Sequence, residues 1–219
     1  METQSNTERK QTVLVVLAAL MVTTYLTANI MAVKLITVFG LTLFDAGTIT
    51  FPLAYVIGDV VTEIYGFGTA KRLIWLTFFC NLLLVASTTI GIILPYPDYM
   101  AGMHNAYATV FTFVPRILAA SLIAFLAGEL SNAYFMVKIK EMTKGKHLWM
   151  RTIGSSVVGY LLDTVLFVLL AFSFTDVPGQ DLAIMIVAQY LMKLAIESIC
   201  GTPLAYLAIN WINKGAKTA

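Results

Sequence analysis

Six stretches of this chain are apolar for long enough to cross a lipid bilayer, and that removes most folds from consideration. A helical crossing takes about 20 residues. The stretches lie at 12–33, 51–67, 72–94, 113–137, 152–174 and 182–211. Only 12% of the residues are charged and the mean hydropathy is +0.83, against about 25% charged residues in a soluble domain. A chain of 219 residues cannot hide that surplus in a core and still meet water with a polar surface. Lipid is the solvent that suits it, and in hydrocarbon a helix satisfies its own backbone. The expected fold class is an all-α integral membrane protein: a single six-helix transmembrane domain over 1–219, with tails at 1–11 and 212–219. The first span follows Arg9 and Lys10 as a signal peptide would, but it is long enough to cross and has no small-x-small cleavage site after it.

The segments between the spans sharpen this division. Residues 95–110 carry the breakers Pro95, Pro97 and Asp98 and read as a loop. Residues 138–151 are basic, and 175–181 read as a turn. Residues 35–50 are rich in β-branched side chains around Gly40 and suit a small hairpin or re-entrant loop between the first two helices. Of the 14 Lys and Arg residues, 11 fall in the N-terminal tail, at Lys71 and Arg72, in 138–151, or at the C-terminus. With six spans these segments share one side, which the positive-inside rule makes cytoplasmic. Pro52 and Pro115 stand near span starts, where a missing N–H costs little. Pro203 lies inside the last span and should bend it or free a carbonyl.

Lys34, Arg116 and Lys193 are the three basic residues left over, and five carboxylates lie within or at the ends of spans: Asp59, Glu63, Glu129, Asp163 and Glu197. An ionisable group at the bilayer centre costs at least roughly 2.5–3.5 kcal/mol on insertion scales, so such groups line a polar interior, pair with one another, or mark a substrate or ion path. Asp59 and Glu63 are i,i+4 on one helical face, Glu129 and Asn132 are i,i+3, and Lys193 and Glu197 are i,i+4. With Asp163 on the fifth span and Asn29 on the first, all can converge on one chamber. If all eight charged groups ionise, carboxylates exceed bases by two, which calls for a bound proton or a cationic partner. Lys193 and Glu197 could simply pair, and so could Glu63 with a neighbour. Ala120, Ala124 and Gly128 recur every four residues, a stripe that lets two helices approach. Tyr25, Tyr55 and Tyr160 are candidates to stack on a flat ligand.

Other classes find little support. A net charge of +2 without a basic stripe argues against a nucleic-acid partner. Cys80 and Cys200 are isolated, and His104 and His147 fall in different loops, so neither a disulfide, a metal nor a cofactor is expected. No HExxH, GxSxG or P-loop occurs, so the chain reads as a non-enzyme that hydrolyses no ATP.

The charged residues sit in recognisable contexts: 28-ANIMAVK-34, 58-GDVVTEIYGFGTAKR-72, 116-RILAASLIAFLAGELSNAYFMVKIK-140, 149-WMRTIGSSVVGYLLDTVLFVLLAF-172 and 193-KLAIESICGTPLAY-206. Together these resemble the queuosine precursor transporter family, earlier described as vitamin uptake transporters, from about Asn29 to Tyr206. The resemblance implies a multi-pass importer of a bacterial-type inner membrane. Its substrates would be 7-deazaguanine precursors of the tRNA nucleoside queuosine: the 7-cyano base, the 7-aminomethyl base, or queuine. It also implies a fold similar to the substrate-binding subunits of energy-coupling-factor vitamin transporters. Carried over by position, its polar set is Asn29, Lys34, Asp59, Glu63, Arg116, Glu129, Asn132, Arg151, Asp163 and Lys193. Tyr160 departs from the polar or acidic residue that many members carry after the glycine. The substrate-binding candidates are thus Asn29, Asp59, Glu63, Arg116, Glu129, Asn132, Asp163 and Lys193. Glu129 and Asp163 lead for the paired N–H edge of such a base. The implied partners are a small deazapurine and membrane lipids. A second copy of the chain stays open as a partner. So does a separate ATPase module, ranked lower because Ala28 and Ala32 fall toward the external end of the first helix, away from where such modules dock.

Overall fold

The computed structural model describes residues 2–39, 41–112, 114–173 and 177–215. Among these, six helical segments are long and apolar enough to cross a membrane. The first is α1 (Glu2–Met31), which absorbs the expected tail at 2–11 into its opening turns. It leads into a hairpin of β1 (Leu35–Val38) and β2 (Leu41–Asp45), antiparallel with Leu35 opposite Asp45 and a register shift after Ile36. The hairpin expected from the β-branched run is therefore present. Phe39, at its tip, has φ 51° and is fully exposed. A 3-10 turn (Ala46–Ile49), capped by the Asp45 side chain, turns the chain into α2 (Phe51–Tyr65).

The α2 helix is the short, charged span, and it is enclosed by protein as its composition requires: ten of its residues are buried. Pro52 stands in its first turn, where no donor is lost. Gly66 alone links it to α3 (Phe67–Ile93), at φ 81°, a conformation that glycine adopts without strain. The face of α3 carrying Leu76, Phe79, Leu83, Ile90 and Ile93 is exposed, as suits a lipid-facing helix.

The segment after α3 departs from the loop expected at 95–110. Only residues 94–100 are irregular or 3-10, and Ala101–Thr112 form a short helix, α4. Pro95, Pro97 and Asp98 delay the helix without forbidding it, and Tyr107 ties it back to α3 by donating to the Thr88 carbonyl at 3.3 Å. Next come α5 (Val114–Met142) and α6 (Leu148–Phe172), joined by a tight turn in which Lys144, Gly145 and His147 have positive φ.

The last span is divided. It consists of α7 (Gly179–Ile196), a π-helical turn (Glu197–Gly201) and α8 (Thr202–Gly215). Pro203 explains the division. It has no N–H to give the carbonyl four residues back, and the Thr202 N–H bonds the Glu197 carbonyl across the wider turn. The bend expected at Pro203 is realised as this π turn.

The termini-bearing end of the bundle is fastened by an ion cluster. Arg151 grips Glu63 with both arms, Nε to Oε2 at 2.9 Å and Nη2 to Oε1 at 2.8 Å, and Lys140 reaches the same carboxylate at 2.9 Å. The Arg151 and Glu63 side chains are 6% and 12% exposed and that of Lys140 is 40% exposed. Arg151→Ala is expected to destabilise the protein by about 3–5 kcal/mol, because it strands a largely buried carboxylate. Lys140→Ala should change little, since a half-solvated pair contributes little. Thermal midpoints of the two variants in detergent separate these outcomes.

Candidate functional site

Three helices repeat one pattern of side chains at intervals of four. Phe51, Tyr55 and Asp59 follow one another on α2; Ser121, Phe125 and Glu129 on α5; Gln189, Lys193 and Glu197 on α7 and into its π turn. Four residues are about 6 Å of helix, so each series lines one face and descends through the bundle. The facing series on α6, running the other way, is Tyr160, Asp163 and Phe167.

The upper level is a small cavity, lined by residues that include Asn29, Asp45, Ser121, Asp163, Gln189 and Lys193. Its walls are held by hydrogen bonds between helices far apart in sequence. Tyr25 donates to the Ser121 carbonyl at 3.0 Å, the Ser121 hydroxyl donates to Asn29 Oδ1 at 2.6 Å, and Asn29 Nδ2 donates to Asn81 Oδ1 at 3.2 Å. On the other wall Gln189 Nε2 donates to Asp45 Oδ2 and, at 2.9 Å, to Thr48 Oγ1. Gln189 is 1% exposed and its Oε1 has no partner, which leaves a free acceptor on an immobilised amide. The floor is the pair Lys193–Asp163 at 2.7 Å, with both side chains 4% exposed. Lys193 also donates to Thr164 Oγ1 at 3.3 Å and stands 4.7 Å from the centre of the Phe51 ring. Its partner is thus Asp163, not Glu197.

From the cavity wall a chain of aromatic rings runs downward: Phe125 to Tyr25 at 4.1 Å between centroids, Tyr25 to Phe51 at 5.6 Å, Phe51 to Tyr55 at 5.6 Å and Tyr55 to Tyr160 at 4.3 Å. Tyr25, Tyr55 and Tyr160, the candidates to stack on a ligand, pack at a tilt against these phenylalanines and, for Tyr55 and Tyr160, against each other. Of the rings that line the cavity, Phe51 and Phe167 are the two aromatics.

The lower level holds the remaining acids. Asn132 Nδ2 donates to Asp59 Oδ1 at 2.8 Å, and Tyr160 donates to Glu197 Oε2 at 3.1 Å. Glu129, 0% exposed, has no partner for either oxygen. Its carboxylate packs on Gly58, where a Cβ would meet Oε2 at 2.9 Å.

The sequence candidates therefore fall into separate places. Asn29, Asp163 and Lys193 line the cavity. Asp59, Glu129 and Asn132 stand a turn or more below it, so the single chamber expected from their spacing is two levels with aromatic rings between. Glu63 belongs to the ion cluster at the far end, and the Arg116 side chain lies outside the described residues. Lys34, at the foot of the hairpin, is exposed. Asp45, Ser121 and Gln189 were missed. Asp45 falls in the hairpin segment rather than in a span, and Ser121 and Gln189 are neutral and so give no charge signal.

Residues 45–208 match the family model described as "Putative vitamin uptake transporter". The chain is 31% identical over 84% of its length to a "Probable queuosine precursor transporter" of Bacillus subtilis, covering 80% of that protein. It is 26% identical over 76% of its length to a protein of the same name from Haemophilus influenzae, covering 68% of it. With the "Queuosine precursor transporter" of Escherichia coli it shares 22% identity over 77% of its length and 74% of that protein's. No solved structure gives a significant match. The chain is a multi-pass membrane protein, and it belongs to the queuosine precursor transporter family.

Proposed function

We propose that this chain imports a 7-deazaguanine precursor of queuosine across an inner membrane, and that the upper cavity is where the base is held. The observation that carries the reading is the cavity's composition: fixed acceptors beside a fixed cation, inside a six-span bundle. A 7-deazaguanine is flat, with N–H donors along one edge next to a carbonyl. Asp163 and the unpartnered Gln189 Oε1 suit the donors, and Lys193 suits the carbonyl. A ligand without those groups would leave the buried polar atoms unpaired, which is how such a site rejects near neighbours. Asn29 and Ser121, already bonded to each other, shape the opposite wall.

The other reading, a capture subunit for a separate ATPase module, gains nothing from the first helix. Ala28 and Ala32 are buried and line the cavity. We infer that the positively charged end bearing both termini is cytoplasmic, which makes the cavity lie nearer the outer face.

The test is uptake in cells that cannot synthesise queuosine. With the gene present and the 7-cyano, 7-aminomethyl or queuine base supplied outside, queuosine should reappear in tRNA. Gln189→Ala should lower that signal about tenfold or more, the effect of losing one buried hydrogen bond of about 1.4 kcal/mol. Equal modification with and without the gene would refute the substrate class.

A further inference from the structure

The lower level is left unused by a substrate cavity, and its chemistry is incomplete. Asp59 Oδ2, both oxygens of Glu129, Glu197 Oε1, Asn132 Oδ1 and the Tyr55 hydroxyl are all buried without a partner. Asp59, Glu129, Asn132 and Tyr55 are 0% exposed, as is Glu197. One carboxylate left so would be costly, and three at the same depth repel one another as well. The groups that face this level come from five elements: Tyr55 and Asp59 from α2, with Glu63 one turn further on, Glu129 and Asn132 from α5, Tyr160 and Asp163 from α6, Lys193 and Glu197 from α7 and its π turn, and Tyr25 from α1. Lys193 is bonded to Asp163, and Arg151 and Lys140 to Glu63. Among the described residues no cation pairs with Asp59, Glu129 or Glu197, and no three acidic, His or Cys side chains are grouped to hold a metal.

We propose that Asp59, Glu129 and Glu197, with Asn132 and Tyr55, form a second binding site that takes a single positive charge as a proton. Its occupancy is coupled to that of the cavity above.

The unpartnered neutral oxygens carry this beyond a mere cluster of acids. Asn132 turns its amide nitrogen to Asp59 and leaves its carbonyl oxygen free. The Tyr55 hydroxyl is pressed against Gly128, beside Glu129. Both are oxygens that can accept a proton held by a carboxyl neighbour. The coupling has a physical route. Lys193 and Glu197 are one turn apart on α7; Asp163 and Tyr160, which bonds Glu197, are one turn apart on α6; and Gly128, next to Glu129, packs on the Asp163 Cβ. Filling one level shifts groups that belong to the other, and such coupling is reciprocal.

The experiment uses the purified full chain in liposomes, with the 7-cyano base as probe, and so rests on the proposed substrate. In separate arms an inward gradient of protons or of sodium is imposed. One cation carried per molecule sustains about tenfold accumulation for each tenfold gradient. Accumulation in the proton arm, reduced to about onefold in Glu129→Gln, supports the site. Accumulation that the proton gradient does not raise, or that Glu129→Gln leaves as it is in the wild type, overturns it. If Glu129→Gln fails to fold, Glu197→Gln, at the edge of the site, takes its place under the same criteria. A second readout needs no substrate: the thermal midpoint in detergent against pH. A dependence in the wild type that the variant flattens supports the site even if no deazaguanine is transported, in which case only the substrate reading falls. A wild-type midpoint indifferent to pH overturns the site.

Discussion

Lys193→Met is expected to cost the fold about 3–5 kcal/mol and to abolish uptake, because it strands Asp163 in the floor of the cavity. The pair is 2.7 Å apart with each side chain 4% exposed, so little solvent can compensate a carboxylate left alone. The informative companion is the double variant Lys193→Met with Asp163→Asn. Removing both charges of a buried pair is often nearly neutral for stability, so folded yield and thermal midpoint should return close to the wild type. Transport should not return, because the cavity would keep its shape and lose the groups that bind. Size-exclusion profiles with thermal melts give the first half of this expectation, and the tRNA queuosine assay gives the second. A double variant that transports normally would reduce the pair to a fastening between α6 and α7.

Gly128→Leu is expected to be equally damaging by a different route. The α5–α6 seam closes at Gly128 and Gly159, where a Cβ on Gly128 would meet the Tyr55 hydroxyl, the Asp163 Cβ at 2.7 Å and the Gly159 carbonyl at 3.0 Å. Even one added methyl group overpacks such a seam by about 1–3 kcal/mol, and a leucine would force the two helices apart. The geometry also foretells a partial rescue. The nearest obstacle is a hydroxyl without a hydrogen-bond partner, so Tyr55→Phe removes it at little cost. Gly128→Ala combined with Tyr55→Phe should melt above Gly128→Ala alone. If the double variant melts no higher, the obstacle is α6, at the Asp163 Cβ and the Gly159 carbonyl, and not the hydroxyl.

The spans were legible because lipid imposes one rule on every residue within it: the six apolar stretches needed no tertiary information. The hairpin was legible because β-branched residues around a glycine have few alternatives. What hydropathy could not show was how polar groups would be shared among helices. Lys193 had an acid at i+4 on its own helix, yet the structure pairs it with Asp163 on α6. Helical spacing says which residues share a face, and neighbouring helices decide which of them meet. Asp45 and Gln189 were hidden for the same reason, since a loop acid and a neutral amide become a cavity wall only when the hairpin docks on α7. The α4 helix was obscured by prolines that delay its start and do not interrupt it.

The five-residue turn at Glu197–Gly201 has a consequence for anyone drawing the last span as a helical wheel. One surplus residue rotates all that follows by about 100°. A wheel aligned on Gln189, Lys193 and Glu197 therefore throws Ala205, Ile209 and Ile212, all buried, onto the wrong azimuth. Homologues aligned across this stretch are best compared as two half-helices with independent phase, and a single-residue gap near Cys200 in such an alignment would mark a relative that has straightened the rod.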